Sequence, residues 1–168
     1  AEQDFGAYSN NRYNFYSADD FPLLAKATIS EIDFYAVQKA SGTTPSINSV
    51  FIQIYYGAPN NGGELIWGDD YTNRMKNIEF TNIYRGNITK ISTERPIMKV
   101  TAEINTDLPA GKYRKCVGIN GNATFDGPFV PPVTVWGEEF KGNALFHTQA
   151  GWQEWRDTGS FKHQALPF

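Results

Sequence analysis

Few side chains in this sequence are suited to chemistry, and each kind suits a different reaction. Nucleophilic catalysis needs Ser or Cys held beside a base, usually His. The chain has two histidines and one cysteine. His147 lies in Leu-Phe-His-Thr-Gln and His163 in Phe-Lys-His-Gln, both outward positions of strand-like runs, and Cys116 lies beside Val117 in another. Cys116 therefore reads as a small buried hydrophobe. A glycosidase pair of carboxylates need not be close in sequence, but nothing among the 18 acidic residues marks one. The expectation is a protein without catalytic residues.

Oxygen-rich loops offer a second chemistry. Asp69, Asp70 and Asn73 fall in Trp-Gly-Asp-Asp-Tyr-Thr-Asn, and Asp126 precedes a Gly-Pro turn. Such ligands suit calcium, so Asp69, Asp70 and Asp126 are candidate metal ligands. The spacing is not that of an EF-hand, and the same residues serve equally as turn and capping groups. Ser17-Ala18-Asp19-Asp20 reads as turn and capping chemistry.

Aromatics offer the third. Sugars stack on exposed Trp and Tyr while polar neighbours bond their hydroxyls. The candidates are Trp67, Trp136, Trp152, Trp155, Tyr55 and Tyr71, with Asn73, Arg74, Arg156 and Asp157 as polar partners. Trp152 and Trp155 stand three apart, so on one strand they face opposite ways. Trp155, flanked by Glu154, Arg156 and Asp157, is expected to be the exposed stacking ring, and Trp152 the core residue. For any single Trp the competing reading is core, since Trp is mostly buried.

The elements that must position these residues are strands. The segments 27–38, 48–57, 77–86, 95–105, 111–120, 131–138 and 161–168 alternate or carry short apolar runs, the signature of half-buried strands. Alternation puts Ile32, Phe34 and Ala36 on one face of the first, and Val50, Ile52, Ile54 and Tyr56 on one face of the second. In the fourth it turns Met98, Val100, Ala102 and Ile104 inward. Gly, Asn, Asp and Pro fill the spacers, as tight turns require. Only 20–27 has a helical look, and Pro22 limits it to about a turn. The pattern predicts an all-β fold: a two-sheet antiparallel β-sandwich, jelly-roll in type, with very little helix. It forms a single domain over 1–168, with 1–16 as an irregular N-terminal segment.

Composition agrees. Aromatics are 15% of 168 residues, with 15 Gly and 9 Pro. The formal charge is −3 and no basic run occurs, which gives no footprint for nucleic acid. No apolar run approaches membrane-spanning length. One cysteine precludes an intrachain disulfide. The N-terminus shows no signal peptide, and Ala1 is compatible with a cleaved one.

From Ser17 onward the chain resembles secreted jelly-roll domains frequent in Bacteroidetes, similar to adhesion or carbohydrate-binding modules. The resemblance rests on Ser-Ala-Asp-Asp-Phe (17–21), the segments 29–38 and 43–75, and Leu-Pro-Ala-Gly-Lys-Tyr (108–113). Phe-Thr-Asn-Ile-Tyr-Arg (80–85), the segments 94–104 and 127–138, Gly-Asn-Ala-Leu (142–145) and the closing Trp, Asp-Thr-Gly and Gln-Ala-Leu-Pro-Phe complete it. It implies a non-catalytic, secreted or cell-surface module that takes a glycan or another surface ligand. The alternative is a structural or adhesive spacer making protein contacts, including contacts with other domains of a longer parent chain. Two departures stand out. Arg114 and Lys115 replace apolar residues, so their strand is expected at an edge or facing a ligand. The sequence also stops at Phe168, short of the family's end, as if trimmed from a longer protein.

Overall fold

The computed structural model describes residues 7–8, 15–39, 41–85, 93–121, 126–130, 143–156 and 161–166. Eleven strands are described: β1 (Ala7–Tyr8), β2 (Tyr16–Leu23), β3 (Ala27–Lys39), β4 (Ile47–Tyr56), β5 (Glu64–Gly68), β6 (Met75–Tyr84), β7 (Pro96–Leu108), β8 (Gly111–Gly121), β9 (Asp126–Val130), β10 (Leu145–Thr148) and β11 (Gly151–Glu154). Among the described residues the only helix is a 3-10 turn, Pro59–Asn61, and none is long and apolar enough to cross a membrane.

The strands form two antiparallel sheets. One has the order β1-β9-β3-β7-β6, the other β11-β10-β2-β8-β4-β5. Pairing is nested along the chain: β2 with β10, β3 with β9, β4 with β8 and β6 with β7. A long antiparallel ribbon wound into two layers gives this nesting. The register puts every second residue between the layers. Phe34 and Ala36 of β3, Val50, Ile52 and Ile54 of β4, Met98, Val100 and Ala102 of β7, and Val117 and Ile119 of β8 are almost fully buried there. The inward faces expected of 27–38, 48–57 and 95–105 are the observed ones, apart from Tyr56, which is largely exposed.

Three local expectations are corrected. The segment 20–27 is not helical. Residues 20–23 end β2, where Pro22 sits opposite Lys112 and only the missing N–H distinguishes it. Second, β8 is not an edge strand: it lies between β2 and β4, and both Arg114 and Lys115 are buried. Third, 161–168 forms no full strand over its described part, 161–166. An isolated bridge joins His163 to Arg156, and Gln164 N–H donates to the Trp155 carbonyl at 3.0 Å. The expected strand 131–138 lies outside the described residues.

Candidate functional site

The loop after β5 is densely hydrogen-bonded. Gly68 ends the strand at φ +82, with its Cα hydrogen directed at the Ile52 carbonyl, a place no side chain can occupy. Asp69 then caps the turn. Its Oδ1 accepts the N–H groups of Tyr71 (3.0 Å) and Thr72 (2.5 Å), and its Oδ2 accepts the Thr72 hydroxyl (2.9 Å) and Arg74 (3.3 Å). Burial pushes the Asp69 carboxyl up, but the Thr72 and Tyr71 donors and the Arg74 charge outweigh it and hold the group below its ordinary range. Arg74 also stacks over the Trp67 ring, 4.8 Å from its centroid. Asn73 Oδ1 accepts the N–H groups of Val50 and Met75, joining the loop to β4.

This arrangement sorts the candidates. Asp69, Asn73, Arg74 and Trp67 hold the loop together, and the Asp69 oxygens are engaged by donors of the chain itself. Asp70 and Tyr71 project, Tyr71 with 80% of its surface exposed. Asp126 opens β9 in the other sheet, opposite Lys39. Among the described residues no three His, Cys, Asp or Glu side chains come together as metal ligands.

A second group lies beside this loop, on the outer face of the six-stranded sheet. Alternation that sends Val117 inward sends Cys116 outward, where it packs with Tyr16, Ala18 and Leu145. Half-buried Tyr55 and Trp152 cover them. Trp152 stands edge-on to Tyr55 (6.5 Å, 78°) and to His147 (5.0 Å, 64°), and His147 leans on Tyr16 (5.7 Å). Three strands separate β11 from β4 in sheet order, yet β11 also touches the Pro59–Asn61 turn that follows β4. The sheet therefore curls over its own outer face, and these aromatics fill the concavity. Tyr55 donates its hydroxyl to Gln53 Oε1 at 3.3 Å. Burial, with the Asp70 charge second, pushes the Tyr16 phenol up to about 12. The Tyr55 phenol is raised by burial first, then by Cys116 and Asp70.

The roles expected of the two neighbouring tryptophans are reversed. Trp155 is buried in the main core with Ala144 and Leu166, whereas Trp152 lies on the outer face. The two do face opposite sides, as spacing required. The error was in the sides: pairing of β10 with β11 puts Trp155 beside inward Ala144, its N–H on that residue's carbonyl at 2.8 Å. Arg156 is exposed and paired with Glu154 (2.6 Å). Trp136 and Asp157 lie outside the described residues. Sequence reading missed His147 and Tyr16 as part of an aromatic group, since the pairing that joins them, His147 opposite Tyr16, is long-range.

Comparison of the chain with protein-family models, with curated proteins and with solved structures gave no match.

Proposed function

We propose that the protein is a non-catalytic extracellular binding module whose ligand is a glycan. Its recognition surface is the Asp69–Arg74 loop with the adjoining outer face of the six-stranded sheet. One observation carries this reading: a loop fixed by at least six hydrogen bonds of Asp69 and Asn73 presents a largely exposed tyrosine. A rigid aromatic loses little conformational entropy on binding and offers a flat apolar face to a sugar ring. Asp70 and the half-buried edges of Tyr55 and Trp152 supply hydrogen-bonding and further stacking groups nearby. Secretion and a surface location belong to the same proposal.

The alternative, an adhesive spacer that contacts only protein, is favoured by a different feature. Among the described residues β5 is an edge strand; it exposes Leu65 and Ile66 (45% and 39%) and carries no lysine or proline to block pairing. A glycan-array screen separates the two. Binding by the wild type that Tyr71→Ala or Trp152→Ala abolishes supports the glycan surface. Silence on the array, with self-association or protein capture removed by Ile66→Lys, would move the assignment to the spacer.

A further inference from the structure

The outer face of a sandwich sheet ordinarily turns polar residues toward water. On the six-stranded sheet that face instead holds a second apolar cluster, Tyr16, Ala18, Cys116 and Leu145, all of them buried. Among the described residues two half-buried rings are packed against it, Tyr55 of β4 and Trp152 of β11. The two rings meet edge-on, 6.5 Å between centroids.

These rings stand on elements of unequal hold. β4 is paired with β8 on one side and β5 on the other, and Tyr55 lies within both pairings. Among the described strands β11 pairs with β10 alone, and β10 joins β2 through Leu145, Phe146 and His147. The base of this β10–β11 hairpin is seated in the main core by Phe146 and Trp155. Its far end lies outside that core. Gln149 and Ala150 are exposed there, the His147 and Trp152 rings rest on each other at 5.0 Å, and they lean on Tyr16 and Tyr55.

We propose that the far end of the β10–β11 hairpin is a cover that opens locally, with Trp152 against Tyr55 as its latch. Opening brings solvent to Cys116 while the two sheets stay packed. Elements with few long-range contacts open at a lower free energy than the whole fold. Releasing the Tyr55 ring parts one aromatic pair and leaves Phe146 and Trp155 in the main core, so the hairpin base serves as the hinge. The open form presents an apolar floor of Ala18 and Cys116 between two aromatic walls, Tyr55 and Trp152. In the closed form burial pushes the Cys116 thiol well up, which keeps it protonated and unreactive. Nothing in this device requires a glycan.

Cys116 is the one cysteine of the chain, so thiol labelling reads this opening directly. The folded full chain is labelled with dithiodipyridine under native conditions, and its global unfolding rate and stability are measured in denaturant. The expected labelling is faster than global unfolding permits. Trp152→Ala should raise the labelling rate severalfold, up to about tenfold, the scale of one lost aromatic pair. Val100→Ala removes buried packing from β7 in the other sheet. It should lower stability and leave the labelling rate nearly unchanged. Wild-type labelling no faster than global unfolding would overturn the proposal. So would labelling that rises in Val100→Ala in step with its lost stability. Because the wild type and Val100→Ala decide, poor folding of Trp152→Ala leaves the test intact.

Discussion

Residue type alone did not settle what each side chain does; the environment did. Trp155 and Trp152 have similar polar neighbours in sequence, and a buried ring closes the main core while a half-buried one covers the outer face. Trp155→Ala should therefore leave a cavity and cost about 3–5 kcal/mol in chemical denaturation. Equal stability of that variant and wild type would contradict its core role. Asp69 permits a sharper test. Its folded-state pKa lies below the ordinary value of 3.8, so its ionised form is what the fold favours. The stabilisation is complete above the unfolded value and is lost as pH falls through the folded one. At neutral pH Asp69→Ala should lose about 1.5–3 kcal/mol, the scale of a charged hydrogen bond. The gap between variant and wild type should narrow on acidification below that ordinary value. A gap independent of pH would show that the carboxylate charge does not hold the loop.

At the scale of elements, strands with one buried face were legible and the short ones were not. Alternation located β3, β4, β7 and β8 to within a few residues, because period two is written in Phe34, Ile52, Met98 and their neighbours. β2 was hidden by Pro22 and by buried Asp19, polar where a strand reading expects an apolar residue. β5, β10 and β11 have four or five residues each, too few for periodicity to show. Their positions depend on partners distant in sequence. β5 pairs with β4 through a bulge between Ile54 and Tyr55 and ends at Gly68, opposite Gln53. A Cβ there would lie 2.1 Å from the Ile52 oxygen at a backbone angle that L residues avoid. Gly68→Ala should destabilise the protein by about 1–3 kcal/mol or more and disturb the Tyr71 loop. Unchanged melting would contradict the packing of this turn.

For the whole molecule, the sandwich class was readable from turn spacing and aromatic content, and two packed antiparallel sheets are what the chain forms. The candidate site was readable in part. Asp69 to Arg74 were singled out from their types, but which of them build the loop and which project depends on hydrogen bonds that no spacing encodes. The curl that brings Trp152 over Tyr55 was invisible for the same reason. Among the described residues the fold displays Tyr71 on a loop held by the hydrogen bonds of Asp69 and Asn73. The most direct measurement of the central claim is titration of Tyr71→Ala and wild type against the glycan that the wild type retains, with melting recorded for both. The account predicts unchanged melting and an affinity loss on the order of 1–3 kcal/mol, the scale of stacking on one aromatic ring. Failure of the wild type to retain any glycan, or full affinity in the variant, would contradict it.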